Sequence, residues 1–505
     1  MTNRTLELFN RGFLITGENS VKNRDHRVVI IGAGSAGLCM GIQLKKIGID
    51  DFVILEKGPG LGGTWYWNHY PGAECDVQSH LYSFAFEQKL DWSRPFAQQA
   101  EILEYLDNIA DKYDVRRHIR FNSESTELKW QEDTNRWLVT TANGTVLNAH
   151  ILVSAVGMFN NIHWPNVAGI EDFNGSSWHS ARWDKSHDLK GERVGVIGLA
   201  ASAIQFTPEI APIVDQLHLF QRTANWVVPK SNAPYTQQEL DHYCRHPEAV
   251  QQSREEIYAV WNTLATFSDK AFLADMEKSG LERIAEVTDA ATRANLTPEH
   301  PFGCKRPLFS DLYYPIFNRN NVELVTQSIE TIIANGILTA DGQTRELDTI
   351  IYATGFETTA YLTTVEVTGR DGLKLTDAWH DGAQAYLGLS TAGFPNLFML
   401  YGPNTNQGSL LYMLELQSEY VIRQLKRLDD ENLAWMDIRP DVMLAFNDQL
   451  QADVDKIDVW KFDCGNSFYN RAPSGRFVTT WPDSMDAYTA RINAPSQELY
   501  AVGSK

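Results

Sequence analysis

Two short apolar strands each run directly into a turn of small residues and then into a helical stretch, and this repeated unit limits the fold more than any other feature. In the first unit Arg27-Val-Val-Ile-Ile31 meets the turn Gly32-Ala33-Gly34-Ser35-Ala36-Gly37, residues 38–47 follow with helical spacing, and Phe52-Val-Ile-Leu-Glu56 reads as the next strand. In the second, Arg193-Val-Gly-Val-Ile197 meets Gly198-Leu199-Ala200-Ala201-Ser202-Ala203, then a helix from Ile204 and the strand Gln216-Leu-His-Leu-Phe220. Strand, small-residue turn, helix and strand is the context in which such a turn holds a dinucleotide. The expected fold is therefore α/β, with two Rossmann-like dinucleotide-binding domains in one chain.

Each turn position has its own physical task. Gly32 permits the tight turn, Gly34 lets a pyrophosphate approach backbone N–H groups at the helix N-terminus, and Gly37 lets the helix sit close to the sheet. Glu56, at the end of the second strand, is placed to accept from ribose hydroxyls. The second unit has no acid there. It continues Gln221-Arg222-Thr223, and a cation at that point suits a 2′-phosphate, which favours NADPH over NADH. A surface arginine with no ligand is the alternative. Ala200 stands where the middle glycine is expected, so its Cβ points to where the pyrophosphate would lie, and a looser or shifted cofactor is expected.

The bulk properties narrow the class. A chain of 505 residues with 43% hydrophobic and 21% charged side chains has the composition of a globular protein large enough for several domain-sized units. With 44 Lys+Arg against 64 Asp+Glu, the net charge of −20 argues against nucleic acid or an anionic membrane as partner. Cys39, Cys75, Cys244, Cys304 and Cys464 are widely spaced and include no Cys-x-x-Cys pair, so free thiols in a reducing compartment and no metal site are expected. The first ten residues lack a basic stretch followed by an apolar one, and no run of about 18 apolar residues occurs. A cytoplasmic protein without an integral membrane segment is expected; the oligomeric state is not legible.

Between 231 and 300 the pattern changes to polar and amphipathic stretches such as Gln251-Gln-Ser-Arg-Glu-Glu-Ile-Tyr-Ala-Val-Trp261, which read as a mostly helical insertion. The second unit resumes with Val322-Glu-Leu-Val325 and Leu347-Asp-Thr-Ile-Ile-Tyr-Ala353-Thr354-Gly355. The latter resembles the strand and Ala-Thr-Gly crossing of two-dinucleotide flavoproteins and the earlier Ile151-Leu-Val-Ser-Ala-Val-Gly157 looks like its counterpart, a resemblance that implies a crossing between domains at both. The division is 1–158 for the first part of the first dinucleotide domain, 159–230 and 305–354 for the second, 231–304 for the insertion, and 355–505 for the return to the first.

Upstream of the second turn, Phe173-Asn-Gly175-Ser-Ser-Trp-His179-Ser-Ala-Arg-Trp183-Asp184 fits Phe-x-Gly-x-x-x-His-x-x-x-Trp-(Pro/Asp) at every defined position. The chain thereby resembles the Baeyer–Villiger monooxygenases, a class of flavoprotein monooxygenases. The resemblance continues through Gly62-Gly63-Thr64-Trp65-Tyr66-Trp67, Tyr70-Pro-Gly-Ala-Glu-Cys-Asp76, Phe220-Gln-Arg-Thr223, Gly303-Cys-Lys305-Arg306-Pro307 and Leu387-Gly-Leu-Ser-Thr-Ala-Gly-Phe-Pro-Asn396, covering about residues 27 to 480.

The resemblance implies FAD in the first domain and NADPH in the second, with O2 and a ketone meeting at their interface. A C4a-peroxyflavin would attack the ketone, and the adduct would rearrange to an ester or lactone; sulfides are possible softer substrates. Arg306 corresponds to the active-site arginine that stabilises developing negative charge, and Asp76 to the carboxylate that pairs with it beside the flavin. Lys305 corresponds to an NADP contact. Gly63, Thr64, Trp65, Tyr66, Trp67, Tyr82 and Ser125 match surroundings of FAD, and Leu199, Ala201, Ser202, Ala203, Gln205 and Thr223 those of NADP. Phe173, Gly175, His179, Trp183 and Asp184 are read as coupling the two domains rather than as chemistry. Phe468 falls where many relatives carry a tryptophan against NADP, and it lacks an N–H donor. The substrate pocket is expected from 400–413 and the segment around Phe468.

Two other readings stay open at this level. One is a sulfur- or nitrogen-oxygenating flavin monooxygenase on the same scaffold. The other is an NADPH oxidase-like flavoprotein whose nicotinamide site is weakened by Ala200 and Phe468.

Overall fold

Two sheets, the first mixed and the second all parallel, carry the two turns. The computed structural model describes residues 24–264, 266–464 and 471–505; the first ten residues and Phe468 lie outside them. The first turn follows the strand Arg24–Ile31, which pairs in parallel with Phe52–Leu55 on one side and Val146–Ser154 on the other. Val146–Ser154 also pairs with Arg136–Thr141 and, in parallel, with Leu397–Met399, so the C-terminal part of the chain returns to this eight-stranded sheet. The second sheet has five parallel strands, in the order Val322–Val325, Gln216–Phe220, Arg193–Ile197, Thr349–Tyr352 and Ser176–His179. Ser176–His179, from the Phe173–Asp184 string, is thus an edge strand of the second sheet, with His179 paired to Tyr352.

The central strands are apolar because both faces are covered: a helix packs on one face of each sheet, and further strands, bearing Trp130 and Trp137 in the first unit and Ile332 and Ile337 in the second, cover the other. Val28, Val29 and Ile30 in the first sheet, and Val194 and Val196 in the second, are fully buried. The helix Ser35–Lys46 starts in the first turn and Ala201–Ile210 in the second.

The two turns solve the same steric problem. Gly32, with φ +106°, has no Cβ to strike the Ala155 carbonyl, which would lie 2.5 Å from it; Gly198, with φ +97°, avoids the Ala353 carbonyl, which would lie 2.6 Å away. The two strand ends read as crossings, Ala155-Val-Gly157 and Ala353-Thr354-Gly355, therefore pack directly behind the two turns.

Between 231 and 304 the described residues form the helices Gln237–Arg245, Pro247–Leu264, Lys270–Ile284 and Ala290–Leu296. The first opens with a capping box, Thr236 with Glu239. Pro247–Leu264 is held down through the buried Arg254, whose guanidinium donates to the carbonyls of His80, Leu81 and Ser83. Three backbone carbonyls are thereby tied to the helical segment by one cation, and its partner Glu415 accepts from the neighbouring Ala85 N.

One expectation from composition fails. Cys304 and Cys464 are joined as a disulfide across 160 positions, so only Cys39, Cys75 and Cys244 are free. Spacing could not show this, because the tertiary fold, and not the sequence interval, brings their Cα atoms to 6.2 Å. No helix among the described residues is long and apolar enough to cross a membrane.

Candidate active site

Glu56 closes the first turn from below. One carboxylate oxygen accepts from Ala33 N at 2.8 Å and the other from Gly58 N at 2.7 Å, and the side chain is buried. Each oxygen keeps a lone pair for a ribose hydroxyl. Ser123 N donates to the Glu56 carbonyl, and two residues on Ser125 has a buried hydroxyl with no hydrogen-bond partner among the described residues. An orphaned buried hydroxyl two residues from a backbone contact of Glu56 is what a polar ligand would complete.

Gly34 and Gly63 lie back to back: a Cβ on Gly63 would stand 2.9 Å from Gly34 Cα. Gly63 has φ +56° and caps the short helix Thr64–Trp67. This contact carries the first turn to the main cleft, since Thr64 and Trp65 line a cleft of about 1310 Å³ that also contains Tyr82, Asp76 and Arg306. Trp65 donates from Nε1 to Tyr82 Oη at 3.1 Å, which fixes both rings on the cleft wall. Tyr66 and Trp67 point elsewhere: Tyr66 covers Gly60, and Trp67 lies under the Arg182 guanidinium at 4.1 Å.

The other wall belongs to the second turn. Gly198, Leu199, Ala200, Ala201, Ser202 and Gln205 line the cleft. Ala203 is fully buried at the start of the helix and serves close helix–sheet packing, the task Gly37 has in the first unit. At the end of Gln216–Phe220, Arg222 and Thr223 are exposed to the cleft, and the buried Lys305 donates to Thr223 Oγ1. Burial, and then the nearby Arg222 charge, lowers the Lys305 pKa. Two like charges and a hydroxyl converging on open space form a donor set for a phosphate dianion.

Arg306 and Asp76 meet in the cleft. Arg306 donates from Nη2 to Asp76 Oδ2 at 2.9 Å; the Asp76 side chain is 10% exposed and that of Arg306 35%. The guanidinium is thus anchored at one edge while the other faces the cleft. Behind Asp76 lies a residue with no sequence signal: Lys230, whose Nζ is 3.3 Å from Asp76 Oδ1 and 2.7 Å from Glu74 Oε1. Glu74 sits inside the Tyr70–Asp76 string already singled out; Lys230 sits in none.

The Phe173–Asp184 string stays out of the cleft. Trp183 packs on Phe206 of the second-turn helix at 5.2 Å, and Phe206 packs on Tyr70. Tyr70 donates to Gln205 Oε1, and Gln205 Nε2 donates to the Glu74 carbonyl. The string is therefore connected through one helix to the segment that bears Asp76. His179 accepts from Ala181 N through Nδ1, and burial lowers its pKa to about 4. Asp184 accepts from Ser186 at the surface and closes a turn, while Phe173 and Gly175 lie before the edge strand, with Phe173 packed on the second sheet's core.

Similarity to known proteins agrees with this geometry. Residues 29–265 match the model for the pyridine nucleotide-disulphide oxidoreductases. A Baeyer–Villiger monooxygenase of Pseudomonas aeruginosa is 39% identical over 484 residues, covering 95% of this chain and 91% of that protein. The chain belongs to the Baeyer–Villiger monooxygenases. Among solved structures of this class, cyclohexanone monooxygenase from Rhodococcus sp. Phi1 bound to NADP+ superposes with a TM-score of 0.87 at 30% identity, over 96% of this chain and all of that one. The OTEMO complex with FAD and NADP gives a TM-score of 0.85 at 29% identity, over 95% of this chain and 99% of that one. The helix after the first turn holds one cysteine, Cys39, buried and with its thiol pKa pushed far up, and no Cys-x-x-Cys pair follows it.

Proposed function

We propose that the protein is an FAD-containing, NADPH- and O2-dependent monooxygenase that inserts one oxygen atom beside a ketone carbonyl to give an ester or lactone. The observation that carries this reading is the Arg306–Asp76 pair, opening into the same cleft as the Arg222–Thr223–Lys305 donor set. FAD, when bound, supplies the electron transfer and oxygen activation.

The chain's own residues bind and orient. Glu56, Ser125 and the Gly34–Gly63 contact would hold the FAD ribose and pyrophosphate end, with Thr64, Trp65 and Tyr82 along its reactive end. Gly198 to Ser202, Gln205, Arg222, Thr223 and Lys305 would hold NADPH. The cleft-facing edge of Arg306 presents a positive charge to the oxygen on which negative charge develops as the carbonyl is attacked, and Asp76 prevents that charge from swinging away. The 400–413 segment contributes Tyr401, Asn406 and Gln407 to the substrate side of the cleft.

The proposed division into domains is 1–158 with 355–505 for FAD, 159–230 with 305–354 for NADPH, and 231–304 as the insertion. A cytoplasmic setting is proposed because an NADPH consumer needs a compartment that regenerates the cofactor. The test is anaerobic reduction of FAD-loaded protein by NADPH, then mixing with O2 and a panel of cyclic and linear ketones, with product identification. Ester or lactone is the expected product; oxygenation of sulfides alone, or NADPH consumption that yields only hydrogen peroxide, would overturn the reading.

A further inference from the structure

Lys230 is the most deeply buried cation near the reaction centre, with a side chain 2% exposed. A buried ammonium is costly unless it is fully paired. Its two partners are Glu74 Oε1 at 2.7 Å and Asp76 Oδ1 at 3.3 Å. Each carboxylate spends its other oxygen on a separate donor: Glu74 Oε2 accepts from Asn232 Nδ2 at 2.8 Å, and Asp76 Oδ2 from Arg306 at 2.9 Å. The result is a line of side chains, Asn232–Glu74–Lys230–Asp76–Arg306, in which two cations and two carboxylates cancel.

The backbone sets this line. Val227–Val228 pairs in parallel with Leu308–Phe309, so Arg306 precedes one strand and Lys230 follows the other. Asn225 Nδ2 donates to the Arg306 carbonyl at one end, and Asp311 accepts from Lys230 N and Ser231 N at the other. Arg306 and Lys230 therefore approach Asp76 from opposite ends of one ribbon.

We infer that Lys230 is a positioning residue for the reaction: it balances the charge of Glu74 and grips Asp76 from behind, so that Asp76 aims one oxygen at Arg306. The inference rests on the proposed function and extends it. Without the ammonium, two carboxylates two residues apart share the single charge of Arg306. One of them takes up a proton, or both draw the guanidinium back from the cleft.

Titratable groups also face this line. Tyr70 and Cys75 lie within electrostatic reach of Asp76, and Tyr82 and Tyr401 of Arg306. Burial pushes the Cys75 thiol up to about 12 and the three tyrosines higher still, so none titrates between pH 5 and 8. Asp311 is held on backbone N–H groups rather than on the ammonium.

The experiment compares full-length, FAD-loaded wild type with Lys230→Met, Lys230→Gln and the double variants that add Glu74→Gln. Ester or lactone formation is followed on a ketone that the wild type oxygenates. Either Lys230 variant is expected to lower kcat roughly 10- to 100-fold, with the KM for NADPH unchanged, on the scale of displacing a preorganised charge. Adding Glu74→Gln restores neutrality and is expected to recover most of the loss. A packing role would not be rescued by removing a carboxylate.

A second readout needs no turnover. In the FAD-loaded proteins the Tm gap between wild type and Lys230→Met should widen from pH 5 to pH 8, because a carboxyl that is harder to ionise in the fold than in the unfolded chain costs stability as pH rises. The gap should stay level for the Lys230→Met/Glu74→Gln pair. Full kcat in a folded Lys230 variant, no rescue by Glu74→Gln, or a pH-independent Tm gap for Lys230→Met would overturn the inference. A wild type that oxygenates no ketone fails the functional reading alone and leaves the Tm comparison to decide the role of Lys230.

Discussion

Arg306 donates to Asp76 across 230 positions of sequence, and the carboxylate that receives it is almost wholly buried while the guanidinium keeps one edge in the cleft. This asymmetry holds a charge in place without neutralising its working edge. Arg306→Ala should therefore lower the rate of ketone oxygenation by about two to three orders of magnitude, the scale of losing a preorganised stabilising group. Reduction of the bound flavin by NADPH should persist, and stopped-flow absorbance against product yield separates the two.

Arg222 and Lys305 converge with Thr223 at the end of a strand that has no acid. Arg222→Ala should raise the KM for NADPH roughly tenfold or more and leave NADH almost unaffected, as for loss of a charge-assisted phosphate contact. Steady-state kinetics with both cofactors measures the change in preference.

Ala200 caps the second-turn helix with extended backbone, φ −108°, on the cleft wall. Glycine is unstrained there, and it removes the Cβ that faces the pyrophosphate path. Ala200→Gly should tighten NADP+ binding several-fold, on the order of 1 kcal/mol; calorimetric titration of the oxidised enzyme reads this directly.

His179 is buried, with its pKa lowered to about 4 by burial first and by the Arg182 charge second, opposed by the Gly355 backbone. The folded state binds this proton less readily than the unfolded chain, whose histidine titrates near 6.5. Its stabilising contribution is complete above about pH 6.5 and is lost as the pH falls toward 4, by up to about 3 kcal/mol. His179→Gln should flatten the fall in Tm between pH 7 and pH 5. An unchanged slope would place the acid sensitivity elsewhere.

The cysteines offer a chemical check. Without reductant, thiol titration should count one reactive group in the native protein, Cys244, and three after unfolding, adding the buried Cys39 and Cys75. Reduction before unfolding should raise the count to five by opening Cys304–Cys464.

Much of this was legible along the chain because it is local. The order of strand, turn and helix around Gly32 and Gly198 follows from hydrophobic periodicity and from the need for a missing Cβ, and both are written in adjacent residues. The crossings at Ala155 and Ala353 were readable as strand ends. Their packing behind the glycines was not, since that contact joins segments more than a hundred positions apart. Tyr66 and Trp67 share a string with Thr64 and Trp65, yet the short helix turns them away from the cleft.

Sequence by itself determined two dinucleotide units, an acid on the first, a cation on the second, and a family resemblance through which Arg306 and Asp76 were nameable in advance. Only tertiary structure decided how those charges are held. Lys230 belongs to no motif, and Cys304 and Cys464 have no telling interval, because the energy of a buried charge or the formation of a disulfide depends on distances in space rather than along the chain. A lysine in a loop reads as surface until a ribbon of two strands carries it beneath two carboxylates.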